Sequence, residues 1–344
     1  MALSDDAGSG QRAGAGAFRW LCGGVGVDHR LLSEFRAGQC ERIGRLLADH
    51  VASLSVAGLI VLDEIAQDGV RLRANAGAAS LRRLKTLEGE LTNAKAPVEN
   101  LARDEDDDPG ASSRRRQAAR ERTAAERETR VAAALAALGE AEKLRERRLN
   151  NNKAHVQKQK EPRASTTDPQ ARVMKMADGG FRPDYNVQFA SLPQNSIVVA
   201  VSCETAGSDR GLAEPMARAI KETCGCRPGI DLVDGGYLSA DDIEAAAKTG
   251  TKMYCPPTKT KSDRDAFAPR DEDSDVVAKW RAHMASEEGK KIYQRRSRCE
   301  LIHAKLRKLG LDRLLPRAKQ KVAAWMRWFA LACNIMTEAR LRVA

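Results

Sequence analysis

The chain has 344 residues, enough for one large domain with an insertion or for two domains, and its 58 Lys and Arg against 47 Asp and Glu leave a net charge of +11. That length excludes a miniature scaffold, and the basic excess suits a protein that meets phosphates. The eight cysteines are scattered with no pair of CxxC motifs, which excludes a zinc framework and reads as reduced thiols; no segment has a secretory pattern or the length to span a bilayer, so a cytoplasmic protein with no membrane partner is expected.

Residues 1–17 are small, Gly/Ala-rich and aperiodic, and read as a flexible tail. Residues 18–57 form a partial amino-terminal helical region: apolar positions recur at helical spacing from Leu31 towards Leu62, with Asp28 available as a cap, so one or two helices are predicted. Residues 58–80, which open with "GLIVLDEIAQDGVRLRAN", shift to a shorter period between Gly58 and Asn75 and read as a strand or hairpin carrying Asp63 and Asp68. Residues 81–160 change character. They hold "LRRLKTLEGEL", the acidic run "DEDDDP" and an Ala/Arg/Glu-rich stretch over 113–149, which together predict a charged helical insertion with one long solvated helix. The acidic run reads as a solvated linker without chemistry.

Residues 161–340 return to alternating patterns. "FRPDYNVQFASLPQNSIVVAVSCET" predicts a β-hairpin, "GLAEPMARAIKETCG" an amphipathic helix, and "GIDLVDGGY" a buried strand ending at Asp234. "SADDIEAAAKTG" then predicts a helix with Ser239 as N-cap and Asp242 at its third position, and "TKMYCPP" a further strand, before helices from Ser274 close the chain. The order is that of a mixed α/β fold. Within it, "CGC" at Cys224 to Cys226 reads as turn residues rather than a metal site, and Trp325 and Trp328 as core packing rather than base-stacking platforms.

Three carboxylates stand out. In α/β sheets, functional groups collect where strand ends leave the packed core, and both Asp234 and Asp68 precede glycine at what read as strand ends. A hard divalent cation takes one or two such carboxylates and keeps its remaining positions for water and phosphate oxygens. In "IYQRRSRCELIHAKLRKLG", Tyr293, Arg296, Glu300 and Arg307 are spaced three, four and seven residues apart, which places them on one face of a continuous helix. "DG" is also a common turn, and a Glu among arginines is commonly a surface ion pair worth under about 1 kcal/mol, so these residues alone leave both readings open.

From Phe18 to Ile335 these motifs, in this order, resemble the DDE transposases of bacterial insertion sequences. "QDGVRLRANAGAASLRR" is similar to that family's first-aspartate segment, "LVDGGYLSADDIEAAAKTG" to the region of the second aspartate, and "IYQRRSRCELIHAKLRKLG" to its Tyr, Arg, Glu and Lys signature. The resemblance implies an RNase H-like mixed sheet flanked by helices, interrupted after its first strand by the charged insertion. It further implies that Asp68, Asp234 and Glu300 are catalytic and hold two Mg²⁺ ions, with Mn²⁺ as a substitute, and that Tyr293, Arg296 and Arg307 bind DNA. Arg307 stands where the family has Lys. Asp63 is the rival for the first acid but lacks the following "GVRLRAN". The reaction implied is hydrolysis at a transposon end in double-stranded DNA followed by strand transfer, by a homodimer that pairs two ends. Family members carry a further helical stretch before the segment that starts "FRWLCGG", so a shortened copy is expected, and the alternative reading is a catalytically inactive remnant that binds DNA without transposing.

Overall fold

The computed structural model describes residues 16, 19–20, 22–26, 28–103, 111–151, 161–176, 178–257, 265–311 and 313–343. The expected tail, Gly16 apart, and the acidic run lie outside the described residues. The first elements described in full are α1 (His29–Gly38) and α2 (Cys40–Val56). Asp28 caps α1 as expected, its Oδ1 accepting from the Arg30 amide at 2.9 Å. In α2 the buried residues Ile43, Leu47, Val51 and Leu54 recur every three or four positions and make one apolar stripe.

The long strand β1 (Glu64–Arg73) is followed by β2 (Leu81–Arg82), α3 (Leu84–Arg103), α4 (Ala111–Asn151) and β3 (Ala164–Ser165). Leu87 of α3 packs with Val131, Ala134 and Leu138 of α4 and with Ala164, a small core of its own, and β2 pairs antiparallel with β3. Next come β4 (Arg172–Lys175), β5 (Phe181–Ser191), β6 (Val198–Glu204), α5 (Ala213–Cys224), β7 (Ile230–Leu232), α6 (Ala240–Lys248) and β8 (Lys252–Tyr254). Four helices follow: α7 (Asp275–Ala285), α8 (Glu287–Gln294), α9 (Glu300–Lys308) and α10 (Lys319–Leu341).

The main sheet runs β4-β5-β1-β7-β8, with β6 also paired to β5. Strand β5 pairs antiparallel with β1 from Ala66↔Ser191 to Arg73↔Asp184, whereas β7 pairs parallel with β1 over Glu64 to Ala66 alone, and β8 continues parallel to β7. The sheet is therefore mixed. Alternation sorts its faces. Val70 and Leu72 of β1 and Tyr185, Val187 and Phe189 of β5 turn one way, into a core with Ile302 and Leu306 of α9 and Val322 and Met326 of α10. Ile65 and Ala190 turn the other way, against Val51 and Leu54 of α2 and Met216 and Ile220 of α5. Helices cover both faces.

Ser239 does precede α6, but its side chain makes no cap bond; Asp242 instead turns away from the cap and accepts from the Gly211 amide at 2.9 Å. The backbone amide of the loop that enters α5 takes the carboxylate in place of the cap. Asp231 of β7 is 1% exposed and its Oδ1 has no hydrogen-bond partner among the described residues. Burial pushes its carboxyl up from 3.8 to about 7, against the attraction of Arg227. The folded chain thus keeps a proton that the unfolded chain releases, so this group's contribution to stability is fully present below about 4 and is lost as pH rises to about 7. Asp231→Asn removes that term: in urea melts across the same range, the variant's midpoint should gain on the wild type's as pH rises.

Candidate active site

The parallel pairing of β1 with β7 ends at Ala66↔Leu232. Carried two residues further, the same register sets Asp68 beside Asp234, on the face of the sheet that α9 covers. The strand ends at Leu232, two residues before the predicted end, and Asp234 caps the tight 3-10 turn over Gly235–Tyr237 that follows, its Oδ1 accepting from the Gly236 amide at 2.6 Å. Glycine suits both following positions: a Cβ on Gly235 would meet the Pro256 carbonyl at 3.2 Å, and one on Gly236 would meet Asp234 Oδ1 at 2.8 Å.

Asp68 corrects the expectation of a strand end. It lies in the middle of β1, because β5 pairs with that strand through Arg73; what ends near Asp68 is the parallel neighbour, and this opens the sheet at its side chain. Asp63 stands apart, about 17 Å back along the strand by rise per residue, where its Oδ1 lies 2.6 Å from the position a Cβ of Gly229 would take.

The predicted continuous helix is also corrected. Helix α8 stops at Gln294, a 3-10 turn spans Arg295–Cys299, and α9 starts at Glu300. Consecutive arginines hold that turn on β1: Arg295 pairs with buried Glu64 at 3.0 Å and Arg296 with Asp68 at 3.1 Å, while Cys299 is buried against the sheet. The tighter turn brings the predicted residues together by another route. The Arg296 guanidinium lies 3.1 Å from Asp68, 3.7 Å from Asp234 and 4.0 Å from Glu300, so three acids remote in sequence share one cation. Exposure grades across them, from 16% for the Asp68 side chain to 42% for Asp234 and 68% for Glu300, which makes Glu300 the solvent side of the cluster. Tyr293 is half-buried beside the cluster, and burial raises its hydroxyl pKa above the ordinary value. Arg307 makes no ion pair with these acids among the described residues; its charge is felt at His303.

Burial raises the Asp68 carboxyl above its ordinary value, although Arg296, His303 and the Gly69 amide oppose this, the last as a 3.0 Å donor to Oδ1. His303 escaped the sequence reading. Its Nδ1 lies 3.8 Å from Asp68 Oδ2, its ring stands edge-on to Phe189, and burial depresses its pKa, so the ring is neutral at neutral pH. Its spacing of three from Glu300 along α9 is the signal that could have found it.

A second group also escaped. On the opposite face of β1, Gln188 donates from Nε2 to Asn186 Oδ1 at 2.9 Å and to Asp209 Oδ1 at 2.8 Å, and Asn186 donates to the same Asp209 oxygen at 2.7 Å. Gln188 Oε1 accepts from Gln67 at 3.0 Å and from the Tyr237 hydroxyl, which ties the turn after Asp234 to the sheet. Gly69 has no side chain because that amide fills its place: a Cβ there would lie 2.2 Å from Gln188 Nε2.

Three carboxylates around one positive charge are a hard-oxygen donor set, and their chemistry fits Mg²⁺ or Mn²⁺. Among the described residues, however, no three His, Cys, Asp or Glu side chains stand together as a ready-made cage. The "CGC" cysteines are free, and Gly225 between them, at φ 74°, terminates α5 as turn chemistry requires.

The packing around Gly69 has a measurable consequence. Gly69→Ala should destabilise the fold by about 1–3 kcal/mol through forced displacement of the Gln188 amide, whereas Gly89→Ala, in α3 with nothing within 4 Å of the added methyl, should be neutral or stabilising by about 0.4–1 kcal/mol. Chemical denaturation of the two variants checks both signs.

A family model described as a transposase DDE domain matches residues 154–335, over half of the chain. No curated protein and no solved structure matches it. The matched span holds Asp234, Tyr293, Arg296, Glu300 and Arg307, while Asp68 stands upstream of it on β1.

Proposed function

The chain belongs to the transposase DDE-domain family, and from that premise we propose that it cleaves double-stranded DNA at transposon ends and joins the freed 3′ hydroxyl to target DNA, with Asp68, Asp234 and Glu300 as its catalytic acids. The observation that carries this reading is the single guanidinium within 4.0 Å of all three carboxylates. The strand order β6-β5-β1-β7-β8, with β1 antiparallel to β5 and parallel to β7, supports an RNase H-like core spanning residues 58–80 and 161–340, into which 81–160 enters as a helical insertion, with 18–57 as a helical region packed upon it. No helix among the described residues is long and apolar enough to cross a membrane.

Asp68, Asp234 and Glu300 would hold two divalent cations, Mg²⁺ or Mn²⁺, which supply activation of water and stabilisation of the leaving oxygen in phosphodiester chemistry. The chain's own part is placement. Asp68 is fixed by a strand paired to β5 along most of its length, Asp234 by its own cap on the following turn, and Glu300 by the first turn of α9, where a helix dipole favours a carboxylate. Tyr293 and Arg296, beside the acids, and Arg307, further along α9, would offer one hydroxyl and two guanidinium groups to the phosphates flanking the cut. His303, neutral behind Asp68, adds no positive charge to repel a cation there. A homodimer would present two such sites to two ends.

The test is cleavage of a labelled duplex carrying the element's own terminal repeats, with Mg²⁺ or Mn²⁺. Alanine at Asp68, Asp234 or Glu300 should each reduce cleavage by about 100-fold or more, and Asp63→Ala should leave it largely intact. DNA binding without cleavage by the wild-type protein would instead make this chain an inactive remnant.

A further inference from the structure

We propose that Arg296 is a resident counter-cation of the three acids, which a divalent metal must displace, so that metal uptake and capture of a DNA phosphate by Arg296 are coupled. This rests on the reading of Asp68, Asp234 and Glu300 as metal ligands and goes beyond it, because it assigns Arg296 a role before DNA arrives.

The geometry carries the argument. Arg296 does not extend into solvent towards an incoming backbone; its side chain is 13% exposed and its terminal nitrogens face Asp68, Asp234 and Glu300. Its Nε is buried without a hydrogen-bond partner among the described residues, and the guanidinium is held through its outer nitrogens by these acids. A divalent ion and a guanidinium cannot share three carboxylates at such separations, since like charges a few ångströms apart in a partly buried site repel strongly. Three carboxylates gathered around one guanidinium put more acid than base in the cluster, so a cation is attracted even while Arg296 is in place.

The contacts also order the exchange. Glu300 makes the longest contact and is the most exposed of the three, so a cation meets it first. Arg296 sits on the short 3-10 turn between α8 and α9, where a change of rotamer redirects its side chain without moving either helix. Once released, the guanidinium has left its acid partners and finds a replacement in a phosphate, which it binds by two parallel donors. By linkage, whatever draws Arg296 away from the acids raises their metal affinity, and metal binding raises affinity for phosphate by the same factor. Arg296 is in this sense a positioning residue, acting through the acids it holds.

The experiment is calorimetric titration of the full chain with Mn²⁺, alone and with a short non-specific duplex at salt low enough for fluorescence anisotropy to register binding. Without DNA, Arg296→Gln should bind Mn²⁺ about 10-fold more tightly than wild type, and Lys308→Gln, which removes an exposed charge on α9, should shift affinity far less. The duplex should tighten Mn²⁺ binding more in the wild type than in Arg296→Gln, because the phosphate's own ligation persists in both while release of the arginine occurs in one. Unchanged or weaker Mn²⁺ binding by Arg296→Gln, or equal tightening of both proteins, would overturn the proposal and leave the metal reading standing. Absence of any Mn²⁺ binding that Asp234→Ala abolishes would bring down both. Circular dichroism checks the fold of each variant, and Arg296→Met, neutral and of similar length, supplies the same comparison if the Gln variant does not fold.

Discussion

The site depends on the unequal pairing of β1. One edge of this strand is bonded to β5 along most of its length, and the other to β7 for three residues only. The first edge makes β1 rigid; the second stops where a side chain is needed outside the core. A parallel neighbour that ran two residues further would draw Asp234 into the ladder and remove the turn that aims it, and one that stopped earlier would leave Asp234 without a register. Burial of a carboxylate is costly unless charge or hydrogen bonds answer it. The chain answers with Arg296 and the Gly69 amide.

The two faces of the sheet serve the site differently. The face towards α9 and α10 is apolar up to the level of Asp68, so the carboxylates stand at the rim of a hydrophobic core, where charge interactions are screened less than at an open surface. The opposite face carries amides that bond to one another and to Asp209. Side-chain amides in a core are tolerated when their donors and acceptors are matched, and such networks specify a single arrangement. Here the network ends at Tyr237, three residues past Asp234, so the turn that aims this acid is held from the far side of the sheet.

Much of this was legible in the residues. The β5–β6 hairpin, α5, β7, α6 and β8 followed in order from period and capping, and the Asp28 cap stands where the pattern put it, whereas the short strands β2, β3 and β4 gave no such signal. The misreadings share a cause. Asp68 read as a strand end because "DG" is ordinarily a turn, yet this glycine is needed for a side chain 119 positions later, at Gln188. The break between α8 and α9 was invisible because every residue from Tyr293 to Arg307 tolerates a helix; ion pairs to Glu64 and Asp68, more than 220 positions upstream, hold the turn. Local spacing does not encode such partners. His303 and Asp209 were missed for the same reason, each being ordinary in its own segment and distinctive only through what the sheet brings beside it.

The helical hairpin of α3 and α4 bears on how the chain finds this fold. Arg73 must meet Asp184 across more than a hundred residues, a closure whose entropic cost delays any sheet that depends on it. Helices form fast and locally, and α3 and α4 pack on each other through Leu87, Val131 and Leu138, which returns the chain to its starting point and sets Leu81 opposite Ser165. Once that small ribbon has formed, β1 and β5 are separated by two short connections in place of the whole intervening segment. The charged stretch that interrupts the sheet in sequence is thereby a clasp that shortens the search between its two central strands.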